Sequence, residues 1–276
     1  MFEKLARMDR RIIYAVVFLS LSIPLIWPIG LGVTVGPETK ELYNTVESLA
    51  PGSAVILSMD TSPGGYGELA SGAAALLNHL SRQGIRVIGM GFFDTGPSLL
   101  ETAFGGSDFK NKQYGTDYVN LGYLAGSETA IARMAKDIPG SFPRDYRGNL
   151  TPELPAMEGI SSAQDVALVI TISSGTPGVP EWIRQVGDPM GVPIATAIVA
   201  VNVPNMTPYM QSGQLSGMIP SMKGAAGYES LMGTSGLGIR GMDAQSISHL
   251  TILALVLLGN VVYLGTKSGA SRGGGR

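Results

Sequence analysis

Ala54–Gly65 reads AVILSMDTSPGG, an apolar run closed by an aspartate and a glycine-rich turn. Apolar character without polar alternation marks a strand buried on both faces, as in a parallel sheet covered by helices. Small residues at helical spacing follow over Tyr66–Gln83, and Gly84 stands where a helix ends in glycine. Ile85–Phe93 (IRVIGMGFF) reads as the next strand, and Gly96–Phe104 as a short helix opened by Pro97. The same order returns further on: strand Val166–Ser173, turn Ser174–Gly178, helix Pro180–Val186, strand Val192–Val201, and helix Thr207–Leu215 opened by Pro208. Two β-α-β-α units, about 54–104 and 166–217, therefore flank an irregular insertion, 105–164, whose one clear helix is Glu128–Lys136 with Ser127 as its N-cap. The fold class expected is α/β, a Rossmann-like, mostly parallel sheet with helices on both faces.

Outside this domain lie two uncharged apolar stretches, Ile12–Val35 and Ile247–Thr266. About 20 apolar residues cross a ~30 Å hydrocarbon layer as a helix, so both are expected to be transmembrane helices. Lys4, Arg7, Arg10 and Arg11 precede the first, and Lys267, Arg272 and Arg276 follow the second. Short basic flanks stay in the cytoplasm. The expected order is a basic cytoplasmic tail (1–11), a span (12–35), an extracytoplasmic domain (36–246), a span (247–266) and a second basic tail (267–276). The first run exceeds the usual apolar core of a cleaved signal peptide, which favours an uncleaved anchor kinked by Pro24 and Pro28.

The tails hold 7 of the 19 Lys+Arg and 2 of the 21 Asp+Glu, so the middle carries 12 basic and 19 acidic residues, a net charge of −7. Such a domain lacks the clustered cations that nucleic-acid binding needs. With no cysteine, disulfides, thiolate catalysis and Cys-based metal sites are excluded. The two histidines, His79 and His249, lie far apart in sequence and predict neither a general base nor a metal site. Met206, Met210, Met218 and Met222 read as packing groups rather than as soft metal ligands. No cofactor is expected.

Open parallel sheets bind ligands beyond the carboxyl ends of their strands. That edge gathers Asp60, Thr61, Ser62, Gly64 and Gly65 from the first turn, and Asp94 and Thr95 from the second. The other unit adds Ser173, Ser174, Thr176, Asn202 and Asn205. Asp60 and Asp94 end neighbouring strands, which allows either convergence on a cation or turn capping; capping is the commoner use. Because Gly65 and Ser174 lie on turns, valine at either is expected to spare the fold.

Asp60-Thr-Ser-Pro-Gly-Gly65 resembles the strand–(D/N)-x-PGG–helix turn of the ClpP-like membrane proteases, of the signal-peptide-peptidase and NfeD types. The resemblance runs to Met90 and implies glycine amides forming part of an oxyanion hole. It departs where those families present a nucleophile in a Ser-Gly or Ser-Ala-Gly turn, since here Gly91-Phe-Phe-Asp-Thr-Gly-Pro-Ser98 offers no suitable serine or partner lysine. Tyr114-Gly-Thr-Asp-Tyr-Val-Asn-Leu-Gly-Tyr123 and the Gly/Ser/Met-rich run Ser212–Glu229, taken with the flanking spans, resemble a group of uncharacterised prokaryotic two-span membrane proteins with one α/β domain. That resemblance implies architecture and cell-membrane location, and no activity.

The leading expectation is a structural or interaction subunit of a membrane assembly. Its partners are the lipid bilayer and other integral membrane proteins or further copies of itself, with Gly259 and Asn260 supporting helix contacts. A ligand-binding or sensor module using the strand-end cleft for a small molecule is the alternative. A ClpP-like membrane serine protease comes third.

Overall fold

Every residue of β1 (Ala54–Asp60) is buried, as its apolar run requires. The computed structural model describes residues 9–272. They fall into two compact units: Val33–Gly238, and a second made by the two ends of the chain, up to Gly32 and from Ile239. Lys4, Arg7 and Arg276 of the basic tails lie outside the described residues.

Val33–Gly238 holds one six-stranded sheet. Its other strands are β2 (Arg86–Gly91), β3 (Tyr118–Tyr123), β4 (Leu168–Ser173), β5 (Ile194–Ile198) and β6 (Met218–Pro220). All neighbours pair parallel, in the order β3-β2-β1-β4-β5-β6. Each predicted two-strand unit therefore gains a third strand, and the chain reverses its direction of travel across the sheet between β1 and β4. Both faces are covered. One packs against α2 (Pro37–Glu47), α3 (Pro63–Arg82), α4 (Gly96–Gly105) and α8 (Ser221–Leu231), through Leu42, Leu76, Phe104 and Tyr228. The other packs against α5 (Ser127–Lys136), α6 (Val179–Trp182) and α7 (Val203–Gln211), through Ile131, Trp182 and Met206.

Several local expectations are corrected. The insertion 105–164 is not merely irregular, because it supplies β3. Ser127 is the first residue of α5 rather than its cap; Gly126, at φ +122°, is the N-cap. The helix after β5 starts at Val203, with Pro204 in its first turn where no N–H is needed, and Pro208 sits inside it. The helix after β4 is α6, which runs through a π-helical turn, Ile183–Gly187, into Asp188–Met190. Met206 and Met218 pack in the core, as packing groups should. At Gly217, φ is +147° and a Cβ would stand 2.3 Å from the Leu42 backbone nitrogen, so α2 seats on β6 only because that residue has no side chain.

The chain-end unit contains α1 (Arg10–Ile26) and most of α9 (Leu237–Arg272). Leu237–Gly265 is long and apolar enough to cross a membrane. α1 is shorter than the run 12–35 suggested. It stops before Pro28, which lacks an N–H and disfavours helical backbone at Trp27, and its 17 residues rise about 26 Å. An open apolar groove of about 560 Å³ lies between the two helices, lined by Tyr14, Phe18, Ile252, Leu255 and Val256 among others. Past α1 the backbone is irregular, and three of its amides meet one carboxylate: Ile29 and Gly30 donate to Asp243 Oδ2 at 2.8 Å, and Leu31 to Oδ1 at 2.9 Å. Asp243 is fully buried.

Replacing Asp243 by alanine removes three charge-assisted bonds and orphans three amides, a loss of about 3 kcal/mol or more. Hydrogen exchange of the detergent-solubilised chain should accelerate at Ile29–Leu31 in Asp243→Ala. Unchanged exchange there would contradict the assignment.

Candidate functional site

The switch in strand order places the end of β1 beside the end of β4, with Asp60 opposite Ser173 in register. Four predicted residues meet here. The Thr61 hydroxyl donates to Ser174 Oγ at 2.8 Å, Thr95 Oγ1 donates to the Thr61 carbonyl at 3.0 Å, and Asn202 Nδ2 donates to the Ser174 carbonyl at 3.2 Å. These bonds tie the turns after β1, β2, β4 and β5 across the crevice that open α/β sheets use for ligands.

The remaining predicted residues play smaller parts. Ser62 is the N-cap of α3, accepting from the Gly65 amide at 3.4 Å. Ser173 closes its own turn, donating to the Gly175 carbonyl at 2.9 Å. Thr176, before a cis Pro177, is exposed, as are Gly64, Asp94 and Asn205. Among the described residues no hydrogen bond joins Asp94 or Asn205 to the others. Gly65 does not tolerate a side chain freely. A Cβ there would stand 2.4 Å from Thr61 Oγ1 and 2.7 Å from Ser174, so Gly65→Val would force the two turns apart. Glycine at this point is required by close approach, which turn location alone does not reveal.

Asp60 is turned inward. Its carboxylate accepts from the Phe92 amide at 2.7 Å and from the Ser58 hydroxyl. The Trp182 indole N–H and the Thr171 hydroxyl stand near the same carboxyl and favour its charged form, though neither closes a regular hydrogen bond. Burial outweighs these contacts and pushes the Asp60 pKa up to about 6. With Asp60 only 2% exposed, it does not converge with exposed Asp94 on a cation. Among the described residues no three His, Cys, Asp or Glu side chains group as metal ligands.

Among the described residues no carboxylate or imidazole is hydrogen-bonded to the hydroxyls of Thr61, Ser62, Thr95, Ser98 or Ser174. Ser98 donates to the Thr95 carbonyl at 2.8 Å, and Ser62 serves as a helix cap. His79 is engaged elsewhere. Its Nδ1 lies 2.7 Å from the Tyr228 hydroxyl and its Nε2 3.2 Å from Glu47, with the ring stacked on Tyr43. Burial pushes the His79 pKa down against the pull of the Glu47 carboxylate, and raises that of Tyr228. This knot joins α2, α3 and α8; no spacing in the sequence pointed to it.

A second concavity also escaped sequence reasoning. An open cavity of about 410 Å³ lies between α2 and α7, lined by Glu38, Glu41, Val203, Met210, Gln211 and Met218 among others. None of the predicted site residues borders it. Its residues come from three separate elements, and α2 was not recognised.

No protein-family model matches the chain, and no curated protein matches it.

The Asp60 shift has a measurable sign. A raised folded-state pKa means the folded chain holds the proton more tightly, so this stabilisation is full below about pH 4 and is lost as pH rises through 6. Relative to the parent, Asp60→Asn should gain up to about 3 kcal/mol between pH 4 and pH 7.5. Unfolding midpoints of both proteins across that range test this. A difference independent of pH would contradict it.

Proposed function

We propose that this chain is a membrane-anchored α/β protein serving as a structural or interaction subunit of a membrane assembly. The anchor is α9 together with α1, which continues through the irregular backbone after Ile26 to complete a second crossing. Both basic ends lie in the cytoplasm of a prokaryotic cell, with residues 36–246 outside. The observation that carries this reading is the outer surface of the chain-end unit, where Leu19, Leu25 and Ile26 of α1 and Leu258 of α9 are all exposed. Such surface is costly in water and matched to hydrocarbon.

Three further features support it. Irregular backbone at the membrane boundary is costly unless its amides are satisfied, and Asp243 does this for residues 29–31. Trp27 and Tyr263, exposed at 69% and 61%, suit the headgroup boundaries, where amphipathic rings collect. The hydroxyls at the sheet edge are tied to each other and to backbone, which suits a scaffold better than a reaction centre.

A second reading is favoured by the strand order. Reversal between β1 and β4 creates the crevice where small ligands bind in sheets of this kind, so the domain would act as a ligand sensor within the same anchored architecture.

Topology provides the test. Ser48 and Ser235 are exposed, and the chain has no native cysteine. Single cysteines at these positions should react with a membrane-impermeant maleimide in intact cells. Reaction only after lysis would place the domain inside and overturn the orientation.

A further inference from the structure

α9 has two unlike faces. The one lining the groove beside α1 carries Ile252, Leu255 and Val256, and Gly259 follows it, four residues after Leu255. Leu250, Leu253, Leu257, Asn260 and Leu264 lie on another side at spacings of three, four, three and four, the a/d rhythm of a helix-pairing seam. The four leucines are 64%, 55%, 57% and 61% exposed, so no other part of the chain-end unit covers this stripe. Asn260 is exposed as well, and among the described residues its side chain has no hydrogen-bond partner.

We infer that this stripe is a homodimer seam, occupied by α9 of a second copy of the chain lying parallel and in register. The inference rests on the anchored reading above. Hydrocarbon offers an amide no donor or acceptor, so an outward Asn260 in a lipid-facing helix needs a partner carrying both. A second Asn260 carries both. Copies inserted in one membrane share one orientation, so their α9 helices run parallel, and a twofold axis brings equal positions face to face. A single asparagine among leucines at a/d positions also sets register and pairing number, which separates this seam from a surface merely wetted by lipid.

Single cysteines in the cysteine-free chain test the seam in native membranes. Leu257→Cys and Leu264→Cys should form disulfide-linked dimers on mild copper–phenanthroline oxidation, because bridging needs Cα atoms within about 7 Å. Leu258→Cys and Ile252→Cys, off the seam, should cross-link at least about tenfold more slowly. Detergent-solubilised Asn260→Ala should show roughly three- to tenfold weaker dimerisation, with Asn260→Gln close to the parent. Equal cross-linking at all four positions, or fastest reaction off the seam, would overturn the proposal, and an undiminished Asn260→Ala dimer would overturn the amide contact. Membranes washed with alkaline carbonate separate the two claims. Protein retained but uncross-linked at the seam contradicts only the dimer, whereas protein released by the wash contradicts the anchor and the dimer together.

Discussion

A strand with no exposed residue must satisfy each of its polar groups inside the protein, and β1 is such a strand. Its terminal carboxylate meets this requirement by accepting from the Phe92 amide just past β2 and from the Ser58 hydroxyl. The Asp60 carbonyl accepts from the Ser174 amide at 3.4 Å. One residue therefore ties the central strand to both neighbours where the sheet changes direction. The turns above inherit their positions from it, which is why Thr61, Thr95, Ser174 and Asn202 meet. Asp60 supports the crevice from beneath and does not line it.

The same requirement governs the chain-end unit by other means. Backbone after α1 cannot satisfy itself through helical bonds because Pro28 ends the helix. The buried Asp243 carboxylate takes up three of the exposed amides instead. In surroundings poor in water such bonds are costly to lose, since the orphaned groups have no solvent to return to. Asp243 lies in α9, before its uncharged stretch. Its position follows from the backbone it serves.

Much of the architecture was legible wherever composition and backbone agree. β1 was read to its final residue because an apolar run ends sharply in Asp60 and Thr61. β3 was missed because Asn120 and Gly122 interrupt YVNLGY; Asn120 is nonetheless buried, donating to the Pro97 carbonyl and to Glu101. β6 has three residues inside a Gly/Ser/Met-rich run, too short for any periodicity. α2 buries only Thr39, Leu42 and Val46, so its sequence reads as polar. The apolar run 12–35 overstates the length of α1 because hydropathy passes through Pro28 while helical geometry does not. At the site, topology alone brought the right turns to one edge. The direction of Asp60 was hidden, because alternation carries no information on a strand covered on both faces.

The central claim is that α9 faces lipid. A nitroxide scanned along the cysteine-free chain in reconstituted bilayers tests it most directly, comparing collisions with oxygen, which concentrates in hydrocarbon, and with a water-soluble nickel chelate. A label at Leu258, exposed and off the dimer seam, should be accessible to oxygen and shielded from the chelate, while a label at Ser48 shows the reverse. Chelate accessibility at Leu258 equal to that at Ser48 would place α9 in water and contradict the account.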